Sequence, residues 1–483
     1  MLSISRFLIS ILVTAILLLI YYNYTPLTNP IVFISIAILS LVLCYSILNY
    51  FYSGEISKIH GVFAIVLFNF CLVAPALQFY YSYWYPYFYD SRESYNWLAA
   101  TETWFIFSTI IILCFFGFKW LLVSKVKTKF NLIQRDINRK KLIFYSSFFL
   151  LISFFSQIFI YAKFGGVAGY ISAYTLRGDG DSEFSGLGKF MIIGEAFPVL
   201  LAMTFAFFYM LKEDRKDGKQ SYILLFLLSF LFLMLIFGGL KGSRSNTLLA
   251  LFWLLSVINF YYKTITLKTL GLVGGLFIIY MMIYGVYKSA GEQFFNEVSY
   301  TNIQENSKYR GNALTGVLSG DLSRYEVQTE VINKVIFKNE NTWLGESYLS
   351  AILTPTPKSF QKDLGVDNKT DLSTVLFFGR SNLDTNNAKS TLILGLVGES
   401  IANFHYVGVI FSIIYLIAVY LALIIIKSSV SPLDPRYILV FFFPIILTNA
   451  FTGDMQNLIF YIIKNLTVPI IFCYLVSEKR SES

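Results

Sequence analysis

The chain has 483 residues, of which 56% are hydrophobic and only 14% charged, whereas about 25% of the residues of a typical soluble domain are charged. This composition excludes an ordinary soluble protein. Several apolar runs of about 18 or more residues predict a polytopic membrane protein instead. The net charge of +9 does not indicate nucleic-acid binding, because no soluble domain with interleaved aromatic residues carries the cations.

Hydropathy predicts an all-α protein with about twelve membrane-spanning helices. In chain order they are Phe7–Tyr22, Ile31–Tyr52, Gly61–Ser82, Thr103–Val123, Leu142–Tyr161, Phe190–Leu211, Tyr222–Gly239, Thr247–Tyr262, Leu270–Tyr287, Tyr406–Ile426, Tyr437–Phe451 and Leu458–Val476. The first run follows Arg6 and lacks a clear cleavage site, so it is predicted to remain as an anchor. An even number of spans places both termini on one side.

The distribution of lysine and arginine predicts which side that is. The cation-rich segments alternate along the chain so as to share one face; they are Lys125–Lys141, Lys212–Lys219, Lys263–Lys268 and the tail with Lys479 and Arg480. The opposite loop Asn23–Pro30 has no Lys or Arg. Both termini are therefore predicted to be cytoplasmic, so that the break Lys241–Asn246 and the long segment Lys288–Lys389 face outward.

Three parts follow from this topology. Residues 1–287 form a membrane domain with about nine spans, and residues 288–390 form a long extracytoplasmic loop with short helices. Residues 391–483 return to the membrane as a helix at the outer boundary and the last three spans. Within the loop, Ser323 and Glu326 fit a capping box with Arg324 as the first helical residue. An apolar stripe at helical spacing follows at Val327, Val331, Ile332, Val335 and Ile336.

Charged residues at membrane depth are candidates for function, because inserting each one into the membrane costs about 2.5–3.5 kcal/mol. On the predicted outer side they are Arg177, Glu195, Lys241, Arg244, Glu399, His405 and Asp454. Lys241 and Arg244 lie at the start of the eighth span, with Ser245 or Asn246 as its cap. Unpaired N–H groups and the positive dipole end make a helix N-terminus an anion site. Cations there, and Arg324 at another helix start, favour a bound phosphate or pyrophosphate.

Each of these residues also has a simpler interpretation. Arg244 can anchor a helix in lipid headgroups, and Arg177 and Arg324 can be solvated. Glu195 and Asp454 can form structural ion pairs, and His405 can pack at the interface. Glu399 has no basic neighbour in the adjacent sequence, which favours a functional role.

Several segments, taken in order, resemble those of the Wzy-type polymerases of O-antigen or oligosaccharide repeat units. The segments are GGVAGYISAYTLR at 165–177, KGSRSNTLLALFWLL at 241–255, RYEVQ at 324–328, LTPTPKSF at 353–360, GESIANFHYVG at 398–408 and FTGDMQN at 451–457. In this order they resemble the family's glycine-pair-then-Arg segment, its G-S-R motif at a helix start, two stretches of its long outer loop, its Glu-then-Asn-Phe element and its late Gly-Asp turn.

This resemblance implies a fold like that of the C-superfamily glycosyltransferases. It also implies the joining of undecaprenyl-pyrophosphate-linked oligosaccharides, as donor and acceptor, at the outer face of the bacterial cytoplasmic (inner) membrane. A hydroxyl of one unit attacks the anomeric carbon of the growing chain, and lipid pyrophosphate leaves. Such enzymes need no metal or cofactor. The expected partners besides these substrates are the lipid bilayer and a chain-length regulator protein, with no nucleic acid.

The residues receive roles on the same basis. Arg177, Arg244 and Arg324, with Lys241 in support, are expected to neutralise the leaving pyrophosphate. Glu399, or failing it His405, is expected to take the proton of the acceptor hydroxyl. Supporting roles fall to Glu195, Asn403 and Asp454. The only sequence like a metal-binding D-x-D pair on the outer side is Asp179–Asp181, which also fits a glycine turn.

Two other functions stay open at this stage. One is a ligase that moves a finished glycan to another acceptor, which the sequence hardly separates from a polymerase. The other is a flippase or transporter of lipid-linked oligosaccharide. Transporters tend to show inverted repeats and charges at the membrane midplane, whereas the charges noted here cluster at one face.

Overall fold

The protein is described by a computed structural model. The structure describes residues 2–53, 59–81, 95–122, 132–175, 186–211, 220–238, 240, 244–262, 265, 267–290, 318–319, 322–356, 358–379 and 392–480. Nearly all of this part of the chain is helical.

The first half of the chain consists of apolar helices. They are α1 (Leu2–Tyr24), α2 (Pro30–Ser53), α3 (Ile59–Phe68), α4 (Ala74–Tyr81), α5 (Tyr95–Leu122), α6 (Arg139–Lys163), α7 (Val167–Thr175), α8 (Gly188–Glu195), α9 (Phe197–Met210), α10 (Gln220–Ile236), α11 (Arg244–Val257) and α12 (Leu267–Ala290). A π-helical turn, Asn69–Val73, joins α3 to α4, and another, Ile258–Tyr262, extends α11. One short strand, β1 (Arg135–Ile137), precedes α6.

Short helices alternate with long ones in the second half. They are α13 (Tyr325–Ile332), which a π-helical turn extends over Asn333–Phe337, then α14 (Glu346–Ile352), α15 (Lys358–Asp363), α16 (Lys369–Phe378), α17 (Gly395–Phe404), α18 (Gly408–Ser429), α19 (Phe443–Thr452) and α20 (Met455–Leu475). A 3₁₀ turn, His405–Val407, joins α17 to α18, and a longer one, Pro435–Phe442, leads into α19. Strand β2 (Ser477–Lys479) follows α20.

Within the described ranges, nine helical segments are long and apolar enough to cross a membrane. They are Ile4–Tyr24, Pro30–Phe51, Gly61–Tyr81, Asn96–Leu121, Arg139–Lys163, Gly188–Met210, Gly395–Ser429, Pro435–Thr452 and Met455–Leu475. The protein is therefore a helical protein built to be embedded in a membrane. Shorter apolar helices, Leu225–Ile236, Leu249–Tyr262 and Gly271–Met281, coincide with the other three predicted spans, and the count of twelve stays a prediction.

The chain divides into two compact units. Unit 1 comprises Met1–Thr128, Tyr309–Ile424 and Pro444–Tyr461, and unit 2 comprises Lys129–Lys308, Ile425–Phe443 and Ile462–Ser483. Each unit thus combines early and late segments of the sequence.

In unit 1, α13 lies between α5 and α17 and is buried on every side. All eight of its residues are buried, including three of the predicted apolar stripe, and the other two are buried in the π-helical turn that follows. Trp104 Nε1 of α5 donates a hydrogen bond to Gln328 Oε1 at 2.7 Å. The helix begins at Tyr325, with Arg324 as its N-cap. The predicted capping box was therefore wrong by one residue, and Ser323 Oγ accepts only a long bond, 3.5 Å, from the Tyr325 N–H.

In unit 2, a two-stranded sheet ties the C-terminal tail to the segment before α6. The strands β1 and β2 run antiparallel, with Arg135 opposite Lys479. Arg480 donates to both carboxylate oxygens of Asp136 and thereby holds the pKa of Asp136 below its usual value. The prediction of an all-α protein missed these strands, because three-residue charged segments carry no apolar alternation. Two segments predicted to be cytoplasmic are thus joined to each other.

Candidate functional site

Glu399 lies on α17 in a closed polar environment in unit 1. The side chain is 1% exposed. Its Oε1 accepts a hydrogen bond from Ser347 Oγ at 2.8 Å, and its Oε2 accepts one from the backbone N–H of Met455, also at 2.8 Å. Each oxygen of the carboxylate therefore accepts one hydrogen bond from the protein, and a buried polar group needs such partners to be stable.

Asn403, one turn after Glu399, completes this arrangement. Its Nδ2 donates to Ser347 Oγ at 2.8 Å and to the Glu399 carbonyl at 2.7 Å. Its Oδ1 accepts from the backbone N–H of Gly345 at 3.0 Å. The amide of Asn403 therefore fixes the start of α14 against α17.

Asp454 forms a buried ion pair in the same region. Lys369 Nζ lies 2.9 Å from Asp454 Oδ2, and their side chains are 7% and 0% exposed. Lys369 also donates to the Leu392 carbonyl at 2.6 Å, and Asn457 donates to both oxygens of Asp454. We call Ser347, Lys369, Glu399, Asn403 and Asp454 together the Glu399 cluster.

Tyr348 lies at the edge of the Glu399 cluster. Its hydroxyl is 2.9 Å from Ser400 Oγ, and its ring stacks on Phe404 at a centroid distance of 5.9 Å. Burial first, and the negative Glu399 second, raise the pKa of Tyr348 above its usual value. Tyr348 is therefore a neutral hydrogen-bonding group at physiological pH.

His405 and Arg324 lie outside this closed cluster. His405 is half-buried, and its ring contacts Tyr406 edge-on at 4.6 Å. It has a φ of 54°, which is an uncommon and strained conformation for a residue other than glycine. Arg324 is partly exposed and is the N-cap of α13 rather than its first helical residue.

Glu195 lies in unit 2 as the last residue of α8. It forms an ion pair with Lys464 of α20, 2.5 Å between Nζ and Oε2, and the two side chains are 7% (Lys464) and 12% (Glu195) exposed. The backbone of Gly238 packs against Glu195, because a Cβ there would lie 2.7 Å from Glu195 Cγ. Glu195 and Asp454 thus both form ion pairs, which agrees with the simpler of the two interpretations given in the sequence analysis.

The break before α11 is described only at its edges. The helix begins at Arg244, which therefore lies in its first turn. Ser245 and Asn246 lie inside the helix, so the prediction that one of them caps it was wrong. The predicted site residues Arg177 and Lys241, and the Asp179–Asp181 segment, lie outside the described residues.

The structure brings together three of the predicted residues, Glu399, Asn403 and Asp454. The sequence analysis did not identify Ser347 and Lys369, which contact Glu399 and Asp454, or Lys464, which pairs with Glu195. Ser347 and Lys369 belong to polar segments that read as solvated loop. Lys464 could have been identified from the sequence, because a lone lysine inside a predicted span is a candidate for function.

The Glu399 cluster can hold backbone segments in fixed positions, since it satisfies its own hydrogen-bonding groups. It joins α14, α16, α17 and the turn before α20. No protein-family model, curated protein or solved structure matches the chain.

Proposed function

We propose that the protein polymerises undecaprenyl-pyrophosphate-linked oligosaccharide repeat units into O-antigen or a capsular or exopolysaccharide. The reaction takes place at the outer face of the bacterial cytoplasmic membrane, with both termini of the protein in the cytoplasm. The acceptor hydroxyl oxygen forms a bond to the anomeric carbon of the growing chain. The bond from that carbon to pyrophosphate breaks, and its electron pair leaves with the pyrophosphate.

One observation supports this proposal above the others: three segments that resemble the family meet in unit 1. A Cβ at Gly398, in GESIANFHYVG, would lie 3.3 Å from the Cα of Gln328, in RYEVQ. Glu399 binds the N–H of Met455, in FTGDMQN, 56 positions further along the chain. Residues selected by resemblance alone have no general reason to form one buried network, and the contact between them favours a shared role.

The geometry also suggests how the roles divide. Because each oxygen of Glu399 accepts a hydrogen bond from the protein and the side chain is buried, we assign Glu399, Asn403 and Asp454 to positioning. His405, the second candidate for proton acceptance, is half-exposed and has a strained backbone of the kind that recurs at functional sites. In this proposal the imidazole of His405 takes the proton of the acceptor hydroxyl.

The departing pyrophosphate needs positive charge. Arg244, in the first turn of α11, has the helix dipole behind it, and no acidic residue lies in that turn. Arg177, Arg324 and Lys241 are the further cations assigned to this group by the resemblance. Fixed cations and helix N–H groups stabilise the charge that develops as the bond breaks.

Replacing Arg244 tests this function. We expect Arg244→Ala to abolish long-chain glycan, while single capped repeat units still reach the cell surface, as seen on a glycan gel of cells that express the variant at wild-type level. Long chains in such cells would contradict the role of Arg244. Loss of the single units as well would favour a flippase.

Purified protein incubated with lipid-linked repeat units provides the direct assay. We expect a ladder of products that differ by one repeat unit, because each turn adds one unit to a pyrophosphate-linked chain. Transfer of a finished glycan to another acceptor, without a ladder, would favour the ligase alternative.

A further inference from the structure

The short helix α14 of unit 1 has an inverted distribution of polar and apolar side chains. Its two serines, Ser347 and Ser350, are fully buried, whereas Leu349 and Ile352 are exposed. Leu344, just before the helix, is 82% exposed. In water this distribution is unfavourable, because the burial of apolar surface is the main force that drives folding. It is the expected distribution where lipid surrounds a protein, since lipid tails are as apolar as a leucine side chain.

Contacts within unit 1 attach α14 to the corner between α17 and α18. The backbone N–H of Leu344 donates a hydrogen bond to the Asn403 carbonyl, near the end of α17, at 3.1 Å. The ring of Tyr348, in α14, lies with its centroid 4.7 Å from that of Phe411, in the first turn of α18. The helix α14 is therefore held beside the beginning of α18.

This corner lies at one end of a membrane span. The helix α18 has 22 residues, which correspond to about 33 Å of helix and match a hydrocarbon thickness of about 30 Å. Ile410 and Ile414 are exposed and share one face of the helix with Val407. Val407 and Tyr406, in the corner itself, are exposed as well. The exposed apolar face of the span thus continues onto the corner to which α14 is attached.

We infer that Leu344, Leu349 and Ile352, together with Tyr406 and Val407, form a surface that inserts into the lipid bilayer at the boundary where α18 begins. We call these five residues the lipid-facing patch. Tyr406 suits this depth, because aromatic side chains are enriched at the interface between membrane and water. Part of the segment predicted to be an extracytoplasmic loop therefore belongs to the membrane boundary.

The lipid-facing patch also fixes the depth of His405. This residue directly precedes Tyr406 and Val407, so it lies at the boundary between lipid and water. A lipid-linked diphosphate has its charged group at the same depth, since its tail lies in hydrocarbon and its sugars lie in water. The meeting of His405 with such a substrate rests on the proposed function, whereas the contact of the patch with lipid does not.

Nitroxide labels on introduced cysteines measure this contact with lipid. Leu344→Cys, Leu349→Cys and Ile352→Cys are made one at a time in a Cys114→Ser background, because Cys114 is exposed and the other three native cysteines are buried. The labelled full-length proteins are placed in liposomes of phosphatidylethanolamine and phosphatidylglycerol. Power saturation then compares collisions of each label with oxygen, which concentrates in lipid, and with nickel ethylenediaminediacetate, which stays in water.

Two further labelled positions calibrate the ratio of oxygen to nickel collisions. Ile414→Cys, on the exposed face of α18, gives the ratio of a site in lipid. Lys479→Cys, exposed in the charged strand β2, gives the ratio of a site in water. We expect the ratios of Leu349→Cys and Ile352→Cys to exceed that of Lys479→Cys several-fold. We expect Tyr406→Cys to fall between the two calibrating positions, as the boundary depth requires.

Two results would overturn the inference. One is a ratio at Leu349→Cys and Ile352→Cys equal to that of Lys479→Cys, which would place the patch in water. The other is a low collision rate with both reagents, which would show that a second copy or another segment of the chain covers the patch. If the unlabelled protein makes no polymer, the proposed function fails while a lipid-like ratio still stands. If it makes polymer and the ratio is that of water, the lipid contact fails alone.

Discussion

At the scale of single residues, the bonds made by a polar group indicate its role better than its residue type does. Glu399 is a carboxylate in an apolar sequence and was expected to be a base. In the structure both of its oxygens accept hydrogen bonds from the protein, which favours positioning. His405, half-exposed and with positive φ, is the more accessible group.

Two substitutions at Glu399 separate positioning from proton transfer. A glutamine in Glu399→Gln can accept from the Met455 N–H and donate to Ser347 Oγ, so we expect near-wild-type thermal unfolding and retained glycan polymer. Glu399→Ala leaves both partners unsatisfied and should cost about 2–5 kcal/mol. A Glu399→Gln protein that unfolds normally but makes no polymer would show that Glu399 is the base after all.

Removing only one partner of the Lys369–Asp454 ion pair is expected to lower the free energy of unfolding strongly. Lys369→Met leaves a buried, unpaired carboxylate and should lower the free energy of unfolding by about 3–5 kcal/mol, measured by denaturation in detergent. The double variant with Asp454→Asn should recover part of this loss. Lys334→Met is the control, because Lys334 pairs with the half-exposed Glu340, and should cost about 1 kcal/mol. Equal losses in the two lysine variants would contradict the role of burial.

At the scale of elements, the corner between α17 and α18 fixes the Glu399 cluster at one end. Gly408 opens α18 directly beneath the last turns of α17, where a Cβ would lie 2.2 Å from the Ser400 carbonyl oxygen. The φ of Gly408 is −55°, so close packing rather than backbone conformation requires the glycine.

A pair of glycine substitutions tests this corner. Gly408→Ala should cost about 1–3 kcal/mol or more through overpacking, because the contact is with backbone that cannot move aside. Gly117→Ala, in α5, has no atom within 4 Å of the new Cβ and should be neutral or stabilising by up to about 1 kcal/mol. Thermal unfolding of the two variants side by side measures the difference. If Gly408→Ala unfolds like Gly117→Ala, the corner is not closely packed.

At the scale of the whole molecule, the position of loops relative to the membrane decides whether an extracytoplasmic reaction is feasible. Charge predicts that the loops with Lys125–Lys141 and with Lys479 lie on one side. The pairing of β1 with β2 joins these two segments directly, so they share a side, which the charge pattern predicts to be the cytoplasm.

Labelling of introduced thiols in intact cells measures this topology. We expect cysteines placed in 212–219 and 263–268 to be protected from an impermeant reagent until the membrane is opened, and Ser243→Cys to react from outside, because cationic loops stay in the cytoplasm. Protection of Ser243→Cys in intact cells, with reaction only after opening, would place Arg244 on the wrong side for the proposed function.

The apolar runs of the sequence were enough to predict the class of protein and most of its helices. Long apolar runs are local features, and the free energy of placing each run in a membrane depends on its own residues. Each of the nine described spans accordingly overlaps a predicted one, although Gly395–Ser429 also includes the helix predicted to lie at the outer boundary. Helix starts were less certain: α11 and the buried helix α13 both begin one or more positions away from the predicted caps, because packing competes with local capping preferences.

The contacts between polar residues, in contrast, could be found only from the packing of the helices. Lys369 and Lys464 have ordinary neighbours in sequence, and their partners Asp454 and Glu195 lie far away along the chain. The choice of partner depends on which helices pack together, and the cost of burying an unpaired charge acts only once packing has brought the groups together. For the same reason, the hydrogen-bond donors to the two oxygens of Glu399 come from segments that lie far from it in the sequence.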